Sequence, residues 1–182
     1  MLIIAIVFSF GSLYQYEIKR VQNVYESIYN WMDGSQNPNS VGVRLTMYKK
    51  AIDNIADVPF FGHGLRTSNI ALFKNDSSNI GRISARFNHL HNAYLTNYYN
   101  GGILLLGSLL FILFLPLRIF IKANIQNRRN PVFIAGAFLS LSYASHGMVN
   151  ILLGDTYMNG FYVFFLAIFL LLTNKSIKVP ET

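Results

Sequence analysis

Gly102-Ile103-Leu104-Leu105-Leu106-Gly107-Ser108-Leu109-Leu110-Phe111-Ile112-Leu113-Phe114-Leu115-Pro116-Leu117-Arg118-Ile119-Phe120-Ile121 is an apolar run with a single charge near its end. Wound as an α-helix at 1.5 Å per residue it reaches about 30 Å, the thickness of the hydrocarbon core of a bilayer. Pro116 is expected to kink it, which membrane helices tolerate. Residues 131–152 and 157–173 are two further apolar runs, each long enough, or nearly so, to cross. The composition fits: 52% of residues are hydrophobic and 13% charged, where a soluble domain carries about 25% charged. The sequence therefore predicts an all-α fold, with polytopic membrane helices and a large, mostly helical extracytoplasmic loop.

Upstream of that run stands Arg86-Phe87-Asn88-His89-Leu90-His91-Asn92-Ala93-Tyr94-Leu95-Thr96-Asn97-Tyr98-Tyr99-Asn100-Gly101, with two of the chain's four histidines. Reactive side chains are thus expected at the mouth of a membrane segment. Lysines and arginines in short loops mark the cytoplasmic side. Arg118, Lys122, Arg128 and Arg129 place the 122–130 loop there, and Lys175 and Lys178 place the 174–182 tail beside it. The turn at Gly154-Asp155-Thr156 has no such cation and falls outside. Residues 17–101 then form the extracytoplasmic segment. Its own cations do not conflict, because long loops translocate largely regardless of charge. The net charge of +7 follows from this arrangement, and no nucleic-acid module is present. The absence of cysteine excludes disulfides, thiolate metal sites and cysteine nucleophiles.

The chain is apolar from Met1 and lacks the basic flank and cleavage site of a signal peptide. Residues 1–16 as a helix would extend about 24 Å, short of a bilayer core. The expectation is that the chain starts inside a transmembrane helix, as the C-terminal piece of a longer protein; a short tilted or interfacial anchor is the alternative. From Glu17 to about Gln36, Ile18, Val21, Tyr25, Ile28 and Met32 recur at helical spacing, widened by Val24 and Trp31. That face either packs on its own domain or lies in the membrane interface. Residues 33–40 are turn formers. A helix is expected over 41–57, with Arg44, Leu45, Tyr48, Ala51, Ile52 and Ile55 on one broad face. Pro59 ends it before a tight turn, Phe60-Phe61-Gly62-His63-Gly64, whose glycines permit left-handed backbone or close approach. Residues 65–85 read as polar and irregular, with a mobile tip at 74–79. Helix resumes at His89 or His91, and no internal repeat is present.

Several residues carry candidate chemistry. A neutral imidazole can take a proton from a hydroxyl, so His91, beside Asn92 and after His89, is a candidate general base. Hydrogen bonding of both histidines to loop backbone is the competing reading. His89 and His91 are two apart, with few carboxylates nearby, so a zinc site lacks its ligands. Arg44 sits in an apolar and aromatic face, with Lys49 and Lys50 on the opposite side. Such an arginine needs an anion. A diphosphate, held bidentately, competes with Asp53, Asp57 or a lipid phosphate. Arg82 and Arg86 are secondary cations. His146 and Asn150 fall within a predicted span, where ionisable groups are functional candidates. Asp155 could pair with an arginine of the large loop.

Taken in order, these residues resemble the C-terminal part of the O-antigen ligase and O-antigen polymerase superfamily. Arg44-Leu45-Thr46-Met47-Tyr48-Lys49-Lys50-Ala51-Ile52, running to Pro59-Phe60-Phe61-Gly62-His63-Gly64, resembles its arginine helix and proline-glycine turn. His91-Asn92-Ala93-Tyr94-Leu95 resembles its histidine-asparagine motif, and Gly101-Gly102 through Gly107 its glycine-punctuated approach to the next span. The resemblance covers roughly residues 40–170. It implies a multi-pass protein of the bacterial inner membrane with its large loop in the periplasm. The implied donor is a glycan on undecaprenyl diphosphate. The acceptor is lipid A–core, a growing glycan or a protein. His91 would be the base and Arg44 the diphosphate clamp, with Arg82, Arg86, His89 and Asn92 near the substrates. No metal or cofactor is implied. The family also uses an arginine from an earlier extracytoplasmic region that this sequence does not hold. A reading from another class is a fragment of a transporter or channel, which would place function on His146 and Asn150.

Overall fold

The computed structural model describes residues 2–34, 39–126, 130–152 and 156–178. The loop residues 35–38, Arg128, Arg129, Asp155 and the last four residues of the tail lie outside these, as do the side chains of Lys175 and Lys178. Regular structure among the described residues is helical throughout: α1 (Leu2–Met32), α2 (Ser40–Asp53), a 3-10 turn (Ile55–Asp57), α3 (Ser68–Phe73), α4 (Asn79–Ser84), α5 (Ala93–Gln126), α6 (Pro131–His146) and α7 (Thr156–Lys178).

The segments expected from residue 1 to 16 and from Glu17 onward, read separately from sequence, are joined in one continuous helix, α1, from Leu2 to Met32. No proline or turn cluster interrupts it before Asp33-Gly34. Its last turn is fastened to the head of the protein through Trp31, whose indole N–H donates to Thr46 Oγ1 at 3.1 Å. Tyr25, Tyr29 and Met32 remain exposed.

The head is built on α2. Asn39 caps it, its side-chain oxygen accepting from the Gly42 amide at 2.7 Å, which satisfies one of the free donors of the first turn. The buried stripe is Val43, Met47 and Ala51, packed with Phe73, Ile80, Leu90 and Tyr99. The expected face is therefore turned. Ile52 and Ile55 are 58% and 43% exposed, and Arg44 faces out. The cause is the segment expected to be irregular. Residues 65–85 fold into α3 and α4, which bring Phe73 and Ile80 onto the Val43–Ala51 side. Ser78 caps α4 by accepting from the Gly81 amide at 2.9 Å. Nor is 74–79 an untethered tip. Asp76 pairs with Lys50 at 2.6 Å and accepts from the Ser78 amide at 3.1 Å. The Lys50 ammonium lies 4.5 Å from the centre of the Phe73 ring.

Below the head, α5, α6 and α7 form an antiparallel up-down-up set around Ala93, Leu109, Leu113, Ala144, Leu152 and Tyr162. Gly136 lets α6 approach α5 closely: a Cβ there would lie 2.6 Å from the Phe120 ring. Tyrosine hydroxyls stitch the helices by donating to backbone carbonyls: Tyr162 to Ile112 at 2.9 Å, Tyr143 to Met158 at 2.8 Å and Tyr94 to Ala144 at 2.7 Å. Among the described residues, Ala93–Asn124 and Tyr157–Asn174 are long and apolar enough to cross a membrane, and most of each is left uncovered by protein. Phe111, Phe138, Phe164 and Leu171 face outward. Hydrocarbon is the solvent that such a surface requires. The run 131–152 is not helical to its end. Its helix, α6, has 16 residues, about 24 Å at the standard rise, and ends at His146 in a turn. His146 thus closes the helix, and Asn150 lies in the bend beyond it.

The non-helical backbone of α5 falls at Gly101 (φ −136°, ψ 17°) and Gly102 (φ 62°, ψ −153°), not at Pro116. The Pro59–Gly64 turn is docked into that break. His63 N–H donates to the Tyr99 carbonyl at 2.8 Å and Gly64 N–H to the Asn100 carbonyl at 2.9 Å, while Ile103 N–H donates to the Phe60 carbonyl at 3.3 Å. In an unbroken helix Ile103 N–H would bond the Tyr99 carbonyl. Here the turn supplies a substitute partner to each of the two. The fit depends on absent side chains. A Cβ on Gly62 would lie 2.5 Å from the Asn100 carbonyl carbon, and one on Gly102 would collide with the Phe60 carbonyl oxygen.

Candidate active site

The site forms where the head meets the upper ends of α5 and α6. Asn92 caps α5, its side-chain oxygen accepting from the Leu95 amide at 3.0 Å, so the helix begins just after His91 rather than at it. The other half of the Asn92 amide donates to the Met148 carbonyl at 3.0 Å, and Ala93 N–H donates to the Gly147 carbonyl at 2.8 Å. One asparagine thus starts α5 and ties that start to the end of α6. On the head side, buried Asn69 donates to the Ser84 and His89 carbonyls at 2.9 and 3.1 Å. Leu90 N–H donates to Thr96 Oγ1 at 3.0 Å.

His91 is held with φ 52°, a left-handed conformation uncommon outside glycine that asparagine, aspartate and histidine adopt more often than other residues. Tyr48 supports it by donating its hydroxyl to the His91 carbonyl at 2.7 Å. Arg44 and Tyr48 are four apart on α2 and so share a face: the helix that presents the guanidinium also fixes the histidine. The His91 N–H donates to Nδ1 of His89 at 3.1 Å, and the two rings meet edge to face with centres 4.3 Å apart. That contact separates their roles. A neutral His89 has its lone pair occupied by backbone and its proton on Nε2. The His91 ring makes no hydrogen bond among the described residues, so its lone pair is available.

Electrostatics point the same way. Burial, then His89, then the Arg44 charge lower the His91 pKa to about 4. Burial and Arg44 lower that of His89. Both imidazoles are therefore neutral at pH 7, the form that accepts a proton. Burial raises the Tyr48 pKa against the opposing pull of Arg44, keeping its hydroxyl a donor. Arg44 itself is exposed and makes no ion pair among the described residues. Asp53 pairs with Lys49 instead, at 2.5 Å, and Asp57 forms no bridge among the described residues. A cation that bears on two neutral imidazoles and meets no anion among the described residues can take an external one.

Of the residues picked from sequence, Arg44, His89, His91 and Asn92 come together. Arg82 and Arg86 are exposed, and the cation that lowers the pKa of both histidines is Arg44. His146 closes α6, one residue before the Gly147 carbonyl that meets Ala93. No group of three or more metal-ligating side chains converges among the described residues. Tyr48, Thr96 and Asn69 were not singled out for the site. Only Tyr48 left a signal, its i+4 spacing from Arg44.

A helical head that presents a neutral imidazole and an unpaired guanidinium at the end of lipid-facing helices defines a membrane protein with a polar site at the mouth of its spans. The chain belongs to the O-antigen ligase family, whose pattern it matches over residues 1–112. That match takes in α1, the arginine helix, the proline-glycine turn and the histidine-asparagine pair, and ends within α5. The resemblance drawn from those motifs is thereby established at the level of family. The chain is also similar to a protein of Haemophilus influenzae described as uncharacterized, 27% identical over 145 residues that cover 73% of this chain and 36% of that protein. It therefore spans little more than a third of that relative's length. No solved structure matches it significantly.

Proposed function

We propose that this chain carries part of the catalytic site of a membrane glycosyltransferase. The reaction moves a glycan from undecaprenyl diphosphate to an acceptor hydroxyl at the outer face of the inner membrane. The acceptor is lipid A–core in a ligase or a growing glycan in a polymerase. The single observation behind this reading is the pairing of a His91 ring free to accept a proton with an Arg44 guanidinium free to bind an anion. In the proposed step the acceptor O–H gives its proton to His91 as its oxygen bonds to the anomeric carbon. The carbon–oxygen bond to the diphosphate breaks, and the diphosphate leaves with that electron pair. Arg44 stabilises the charge that develops on it, and His91 acts as general base. Tyr48 and Asn92 position His91. Lysines 122, 175 and 178, at the far end of the helix set, support an outward-facing site by the charge rule for short loops.

The test is made in the full-length setting. Arg44→Ala and His91→Ala should each abolish surface polysaccharide while the protein still inserts, and His89→Ala should have less effect. Normal polysaccharide from both variants refutes the assignment. Loss with His89→Ala but not His91→Ala moves the base by two residues.

A further inference from the structure

We propose that the Pro59–Leu65 turn is a membrane wedge, with Phe60, Phe61 and Leu65 embedded in the lipid where α5 enters the bilayer. These side chains are 63%, 70% and 76% exposed, and the two phenylalanine rings meet edge to face at 5.0 Å. Three large apolar groups at the tip of one tight turn are an unusual surface to offer to water. The tip cannot swing away to hide them. Its backbone is bonded to α5 at Tyr99, Asn100 and Ile103, and the glycine fit at 62 and 102 leaves no slack.

Those bonds also set its depth. The Phe60 carbonyl accepts from Ile103 N–H, so Phe60 lies level with the first residue of the apolar run. Ile103 and Leu104 are themselves exposed and begin the lipid-facing surface that continues through Phe111. The turn extends that surface sideways by one tight loop. Exposed Arg66 follows directly, a cation placed to meet headgroup phosphate above the buried rings. Aromatic residues at the interface with a flanking arginine are what such a position favours. The consequence is mechanical: the turn fixes the height of the head, and hence of Arg44 and His91, above the hydrocarbon. This inference rests on the membrane class of the protein and not on the glycan chemistry, so the two can fail separately.

The chain has no cysteine, so a single introduced one is a unique labelling site. A nitroxide on Phe61→Cys, in the full chain reconstituted in nanodiscs, should collide more with oxygen, which concentrates in lipid, than with a water-soluble nickel chelate. Leu65→Cys should behave likewise. Phe111→Cys gives the scale for the bilayer and Lys74→Cys for water. An oxygen-to-nickel ratio at position 61 like that of position 74 means the tip is in water and overturns the proposal. Low collision with both reagents means protein covers it, a second copy or another segment, and overturns it equally.

Discussion

Gly62→Ala should destabilise the protein by about 3 kcal/mol through one junction. Gly62 has φ +72°, and a side chain held in the left-handed region costs about 1 kcal/mol. The new Cβ would lie 2.5 Å from Asn100 C and Gly101 N and 2.6 Å from Asn100 O. These are backbone atoms, so no rotamer change relieves the clash and the turn must move off α5. Doing so releases the bonds from His63 to Tyr99 and from Gly64 to Asn100, at 2.8 and 2.9 Å, each worth about 1 kcal/mol net. Two other glycines separate these contributions. Gly34 has φ +78° with nothing within 4 Å of its Cβ position, so Gly34→Ala should cost only the conformational part, about 1 kcal/mol. Gly107 lies in a helix with nothing within 4 Å, and alanine there should be neutral or stabilising, by up to about 1 kcal/mol. Thermal unfolding in nanodiscs, followed by helicity, measures all three. For a chain of this size Gly62→Ala should lower Tm by roughly 10 °C. If it falls no further than Gly34→Ala, the docked turn is not a stabilising junction and the reasoning fails.

Three other outcomes follow from the site. The His91 pKa of about 4 in the folded protein lies below the ordinary value of about 6.5, so unfolding takes up protons between them. The stability that His91 contributes is complete above about pH 6.5 and is lost as pH falls toward 4. His91→Gln should flatten that part of the pH–stability curve, and carbon-13 labelling of the imidazole should report a ring still neutral at pH 6. Tyr48→Phe should cost about 1 kcal/mol by leaving the His91 carbonyl without its donor. It should also slow glycan transfer and shift the His91 imidazole resonance, whereas a purely structural tyrosine would leave that resonance unchanged. The Lys50 and Ser78 hydrogen bonds lower the Asp76 pKa to about 2. Its stabilisation is therefore present above about pH 3.8 and lost as pH falls toward 2, and Asp76→Asn should speed amide exchange over residues 74–79.

Much of the fold and the candidate residues of the site were legible in the sequence, and what was not has a physical reason. Arg44 and His91 each offer candidate chemistry in a single residue, so type and order along the chain sufficed to nominate them. The apolar runs announced α5 and α7 because lipid exposure demands uninterrupted hydrophobicity. Helices α3 and α4 escaped because each is a turn or two long. Their helicity depends on packing Phe73 and Ile80 onto α2 and on the Ser78 cap, and a window of periodicity cannot register that. The same omission turned the expected face of α2: without α3 and α4 there was no reason to bury Val43 and Met47 beside Ala51 and to expose Ile52. The run 131–152 was overextended because Gly147 through Leu152 are still mostly apolar, yet the chain there turns back to meet Ala93 and Asn92.

The glycines carry the deeper lesson. Gly62 and Gly102 stood in separate motifs, and neither sequence position names the other. In the folded chain each is required because the other's neighbours occupy the place of its side chain, and the hydrogen bonds that the break removes from α5 are restored by the turn. The segment 93–100 is thereby shared. Tyr99 is buried in the head, where its hydroxyl donates to the Ala51 carbonyl at 2.8 Å, while Ala93 and Tyr94 pack against the end of α6. A continuous helix would leave no opening for the turn, and the head could then tilt about residues 93–100 alone. With the break filled by Phe60–Gly64, the head is held along α5 from the Asn92 cap to the glycine junction, with the Leu90–Thr96 and Tyr99–Ala51 hydrogen bonds between them. His91 lies just before the cap and Arg44 on the helix that leads to the junction. A substitution at Gly62 or Gly102 should therefore disturb the spacing of Arg44 and His91 without touching either side chain.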